Sequence, residues 1–133
     1  MLLAIPADAC CVDAEQALRT LPLITVGEGQ AMWKTANSII EAFGGHAAAI
    51  ECQSIESGLS LVEQGLGAMI VPSYISEFGA KRRGSLRFLP LPPCEGQAHR
   101  RTICLFYRKG QFLTQAESDF ISCLDNIRSI KQH

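Results

Sequence analysis

The sequence predicts an α/β protein with a largely parallel sheet. Short apolar runs bounded by Gly or Pro alternate along the chain with stretches of helical apolar spacing. One stretch, Ile50 to Pro72, contains a complete strand–helix–strand unit. Ile50 and Cys52 begin it as a short extended run. Ser54 stands at an N-cap position, where its hydroxyl can accept from an orphan N–H of the next turn. Ile55, Leu59, Val62 and Leu66 follow at helical spacing, and Gly65 or Gly67 can take the left-handed conformation that ends a helix. Ala68-Met69-Ile70-Val71 is a continuous apolar run, as expected of a strand buried on both faces. Pro72 has no N–H for a ladder and closes it.

The other elements follow in order. Leu2 to Ile5 reads as a strand stopped by Pro6, and Asp8 to Thr20 holds a short helix with Val12, Ala17 and Leu18 apolar. Leu21 to Val26 is a second strand, broken by Gly27-Glu28-Gly29. Gln30 to Phe43 carries Met32, Ala36, Ile39, Ile40 and Phe43 on one face, a clear amphipathic helix ended by Gly44-Gly45. Ala47 to Gln53 is the strand that feeds the central unit. Ser73 starts a short helix running through Phe78 to Gly79. Leu86 to Leu91 is strand-like, and Pro90 places it at an edge. Pro92 to Arg100 is a loop, and Thr102 to Arg108 reads as a strongly apolar strand. Thr114-Gln115-Ala116-Glu117 is a capping box opening a helix to about Ile130, with Ala116, Phe120, Ile121, Leu124 and Ile127 on one face.

A chain of 133 residues, 47% hydrophobic and 19% charged, is long enough for a real core and too apolar for bulk disorder. The formal net charge of −1 gives no overall pull on nucleic acid, and Lys81-Arg82-Arg83 beside Gly79 and Gly84 reads as a solvated loop. No apolar run approaches 18 residues, so no membrane span is expected. The opening Met1 to Pro6 is too short, and lacks the basic start, for a signal peptide. The six cysteines form no C-x-x-C pair, and no histidine stands at metal-finger spacing. Cys52, Cys104 and Cys123 read as small core hydrophobes, and the thiols as reduced in a cytosolic protein. The adjacent Cys10 and Cys11 have nothing nearby to lower a thiol pKa.

Two turns carry the chemistry. Thr25 to Gly29 joins a strand end to a helix start, with glycines that let a ligand approach the backbone and N–H groups free for an anion. It lacks the P-loop pattern, and an ordinary βα turn would look the same. Gln53-Ser54 and Val71-Pro72-Ser73 are the other strand ends, the places where α/β folds bind small ligands. Ser54 acting only as a cap is the alternative at that position. No serine lies in G-x-S-x-G, and Glu51, Glu56 and Glu63 are not paired as acid and base. His46, His99 and His133 belong to no constellation. Nothing points to an enzyme, and no cofactor motif is present.

At this point a resemblance emerges. Ser54-Ile-Glu-Ser, followed by Leu61-Val-Glu-Gln-Gly65-Leu-Gly67-Ala-Met-Ile-Val-Pro72, resembles the effector-domain signature of LysR-type transcriptional regulators. Leu3 to Ala9, Leu21-Pro-Leu-Ile-Thr25, Ile103 to Lys109 and Leu113 to Ile121 resemble further strands and the last helix of that domain. The resemblance implies an effector domain like a type 2 periplasmic binding protein, in which two α/β subdomains flank a small-molecule cleft. It assigns 1–12 to a returning strand and hinge of the first subdomain, 13–106 to the second, and 107–133 to a hinge return and C-terminal helix of the first. The ligand-binding residues it implies are Thr25, Val26, Gly27, Gly29, Gln53, Ser54, Ile70 and Pro72, with Ile5 at the hinge. Its implied partners are a small-molecule effector, such as an anionic carboxylate, and further copies of the chain. DNA would be contacted only through a helix-turn-helix domain outside this chain. A solute-binding protein or a small enzyme on the same fold is the alternative. Leu2 to Ile5 is expected to lack neighbouring strands, and the last helix to lack most of its sheet.

Overall fold

The computed structural model describes residues 1–46, 48–78, 84–93 and 104–130. The Lys81–Arg83 cluster, Cys94, His99, His133, most of the expected Pro92–Arg100 loop and the start of the expected Thr102 strand lie outside them. The chain forms two compact units, Met1–Arg100 and Arg101–His133.

In the first unit, Leu2–Pro6 (β1), Leu23–Val26 (β2), Ile50–Cys52 (β3), Ala68–Val71 (β4) and Leu86–Pro90 (β5) form one sheet in the order β3-β2-β4-β1-β5. Ala14–Thr20 (α1), Ala31–Ala42 (α2), Ile55–Glu63 (α3) and Tyr74–Phe78 (α4) connect them. The central unit is as expected. β4 is buried along its whole length, β2 runs parallel to both β3 and β4, and Pro72 lies just past the end of β4. Leu3, Ile5, Leu23 and Ile70 face one core, with Ala17, Leu18, Ile39 and Ile40 from α1 and α2. Ala4, Ile24, Met69 and Val71 face the other, with Leu59 and Val62 from α3. Full burial of one such side chain stabilises by roughly 1.5–3 kcal/mol.

Two expectations about this unit are corrected. β1 does not lack neighbours: it lies between β4 and β5 and is antiparallel to both. The sheet is therefore mixed rather than largely parallel, and Pro90 sits in its edge strand. Apolar content marked β1 as a strand, but which strands flank it depends on the path of the whole chain. Leu66 was expected on the buried face of α3; that helix stops at Glu63, Gly65 turns with φ 77, and Leu66 is 47% exposed.

Gly67 has another constraint. A Cβ there would collide with the Pro22 carbonyl oxygen, because the chain enters β4 hard against the chain entering β2. The Ala68 N–H donates to that same carbonyl at 2.8 Å. Gly58 lets α3 approach the sheet, since a Cβ there would meet the Met69 and Cys52 sulfurs.

The second unit contains Gln115–Ile130 (α5). Its capping box forms as expected: the Thr114 N–H and hydroxyl donate to Glu117 Oε2 at 2.7 and 2.8 Å, and the Glu117 N–H donates to the Thr114 hydroxyl at 3.3 Å. The expected strand does not form at 104–108, where Phe106 is 88% exposed. Cys104 and Cys123 are exposed rather than core residues. Strands and apolar helix faces are buried only when a partner surface meets them, and within this unit these residues meet little. A shallow apolar cavity of about 340 Å³ lies between Leu105–Tyr107 and Ala116, Phe120 and Ile121 of α5.

Candidate functional site

The parallel register aligns three strand ends in the first unit. Val26 pairs with Cys52, and Ile24 pairs with Met69 two residues before Val71. β2, β3 and β4 therefore finish along one edge of the sheet, and α2 and α3 start from that edge. There the turn Gly27–Gln30 and residues Glu51–Gln53 line an open groove of about 440 Å³.

Backbone bonds shape the groove. The Gly27 N–H donates to the Cys52 carbonyl at 3.2 Å, and the Gln30 N–H donates to the Gly27 carbonyl at 3.0 Å. The Gln30 side-chain amide donates across the groove to the Gln53 carbonyl at 2.6 Å. A Cβ on Gly27 or Gly29 would meet nothing within 4 Å, so both glycines border open space. Cys52, half-buried, also lines it. Its single S–H lies within reach of two acceptors, the Thr25 and Ser54 carbonyls, at 3.2 and 3.3 Å. Burial pushes that thiol's pKa up, partly offset by hydrogen bonds with the Ser54 and Gly58 backbone.

Of the residues expected at the site, Gly27, Gly29 and Gln53 line the groove. Ser54 adjoins it as the N-cap of α3: its Oγ accepts from the Ser57 N–H at 3.1 Å and lies 2.6 Å from the Ser57 hydroxyl. The side chains of Val26, Ile70 and Pro72 are buried and do not line it. Thr25 is 2% exposed, and its hydroxyl has no hydrogen-bond partner among the described residues. A buried hydroxyl left this way costs about 1–3 kcal/mol. Ile5 is fully buried. Because β1 runs antiparallel, Leu2 rather than Ile5 pairs with Val71, so Ile5 lies toward the opposite end of the sheet.

Glu28 falls inside the expected Thr25–Gly29 turn without being singled out, and sequence reasoning missed Gln30, Glu51 and Cys52 as lining residues. A signal for Gln30 was available, since glutamine is not among the residues favoured at an N-cap. The groove's electrostatics are mixed. The N-termini of α2 and α3 favour negative charge, while the Glu28 and Glu51 carboxylates oppose it. Among the described residues, no group of His, Cys, Asp or Glu could hold a metal ion, and no helix is long and apolar enough to cross a membrane.

A family model described as the LysR substrate binding domain matches residues 1–127. Among solved structures, the chain is similar to VV2_1132, a LysR family transcriptional regulator, with 18% identity and a TM-score of 0.47. That likeness covers 65% of this chain and 28% of the regulator's. No curated protein matches the chain in sequence. With a family match over nearly its whole length, the chain belongs to the LysR substrate-binding domain family, the effector-binding part of LysR-type transcriptional regulators.

Proposed function

We propose that this chain is the ligand-sensing part of a cytoplasmic, oligomeric regulator and carries no catalytic activity of its own. A small carboxylate enters the groove between Gly27–Gln30 and Glu51–Gln53. What supports this reading is the meeting of two helix N-termini over neighbouring parallel strand ends. The anionic end of the ligand lies toward the starts of α2 and α3. Glu28 and Glu51 favour a ligand whose other end carries hydrogen-bond donors or a positive charge. Among the described residues, no arginine or lysine lines the groove, so neutral donors supply the selectivity and affinity is modest, micromolar or weaker. DNA contact belongs to a helix-turn-helix domain outside this chain, consistent with a net charge of −1.

Amide shift mapping during titration with simple carboxylates and with amino acids tests the site. Perturbations are expected at Gly27–Gln30 and Gln53–Ser54, larger with amino acids than with the matched simple acids. Binding that leaves those amides unmoved would place the ligand elsewhere.

A further inference from the structure

We propose that Gln30 is a positioning residue of this groove, its side-chain amide clamping the Gly27–Gln30 turn to the end of β3. This deepens the reading of the groove as the effector site and rests on it. Three observations carry the clamp.

First, Gln30 Nε2 donates to the Gln53 carbonyl at 2.6 Å, linking positions 23 residues apart. Second, Gln30 is the N-cap residue of α2, yet its side chain makes no capping bond to that helix. Ser54, in the equivalent place on α3, turns back and caps. The Gln30 side chain reaches outward, and α2 goes without a side-chain cap. Third, little else holds the turn. Gly27 and Gly29 have no side chains and border open space, and Glu28 is exposed. Among the described residues, the other hydrogen bond joining this turn to β3 is Gly27 N–H to the Cys52 carbonyl, at 3.2 Å.

The clamp has two consequences for binding. It orders a glycine-rich turn before any ligand arrives, which removes part of the ordering cost of association. It also occupies the Gln53 carbonyl, so an incoming anion is spared one unpaired acceptor.

Amide hydrogen exchange of the ligand-free chain tests the clamp directly, comparing wild type with Gln30→Ala, Gln30→Lys and Gln30→Glu. Lysine has donors and enough reach to restore the bond, whereas an ionised glutamate can only accept. At pH 7 the Ala and Glu variants should exchange about fivefold faster at Gly27–Gln30 and Gln53–Ser54, the factor one ordinary hydrogen bond supplies. Gln30→Lys should stay near wild type. At pH 3, where a glutamate is mostly protonated and donates again, the gap between Gln30→Glu and wild type should close. Amides of β1 and β4 should be unchanged throughout. If Gln30→Ala unfolds and those core amides also accelerate, the pH 7 to pH 3 comparison of Gln30→Glu against wild type still decides. Equal exchange in all four proteins overturns the clamp, as does a Lys variant that behaves like Ala, or a Glu variant insensitive to pH. No ligand enters the measurement, so a groove that binds no carboxylate would overturn the site and leave the clamp standing.

Discussion

Ala68–Val71 in the first unit and Leu105–Tyr107 in the second are both uninterrupted apolar runs, and they end in opposite environments. The first is buried on every residue, with β2 paired on one side and β1 on the other. The second forms no strand, and its three side chains are 48%, 88% and 60% exposed. Their helices differ in the same way. Leu18 of α1 is fully buried, while Phe120 and Leu124 of α5 are 57% and 38% exposed. Hydropathy states what a segment would gain from burial; the neighbouring chain decides whether that gain is realised. Exposed apolar side chains grouped like those of the second unit favour association.

The sharpest way to break the contrast is to disturb the tightest backbone approach in the first unit. Gly67→Ala sets a methyl against the Pro22 carbonyl, a rigid group that cannot turn aside. β2 and β4 would have to separate. The expected loss is on the order of 4 kcal/mol, the range reserved for a severe local conflict. Trp33, the single tryptophan, packs against the α3-side core, so its fluorescence during urea unfolding reports the change. A midpoint near wild type would mean the sheet accommodates the methyl.

A matched pair of substitutions comes next. Leu18→Ala removes a fully buried side chain and should cost about 3 kcal/mol. Leu124→Ala makes the same chemical change on α5 and should cost no more than about 0.5 kcal/mol. Thermal melts of the two variants give the comparison. Equal costs would show that α5 is covered in solution and that the contrast between the units is smaller than the exposures imply.

The elements that could be read from the sequence are those with a complete local signal. The β3–α3–β4 unit has a cap, a helical period, a glycine stop and a closing proline; all four are realised except that the period ends at Val62, short of Leu66. α2 and the capping box of α5 are equally local. What escaped depends on distant parts of the chain. Nothing within Leu2–Pro6 says that β5 and β4 flank it. Nothing within Cys104–Arg108 says that no strand will form there. At the groove, strand-end chemistry pointed to the glycine turn and Gln53, and these residues do line it. Ile5 and Ile70 are buried and lie outside the groove's lining; a strand position does not by itself reveal which way the side chain points. Glu28 lies within the expected turn and Glu51 two residues before Gln53, but only the register of β2 against β3 brings them to one groove.

The smallest effect separates the two units by their caps. α3 is capped by Ser54 and Ser57, which do not titrate in the acid range. α5 is capped through Glu117, whose carboxylate accepts from the Thr114 N–H and hydroxyl. Those two bonds, the backbone one first, hold the Glu117 pKa below the usual glutamate value. A carboxyl whose folded pKa is lowered stabilises its helix at pH values above the unfolded pKa. That contribution fades as pH falls from the usual glutamate range through the lowered folded value. The start of α5 should therefore fray on acidification while the start of α3 holds. Thr114→Ala should remove about 1 kcal/mol of capping at neutral pH and flatten the pH response. Carbon chemical shifts of residues 115–118 and 55–58, followed from pH 6 to pH 3, make the comparison within one molecule. Parallel fraying of both helix starts would show that acid acts on the whole chain rather than on this cap.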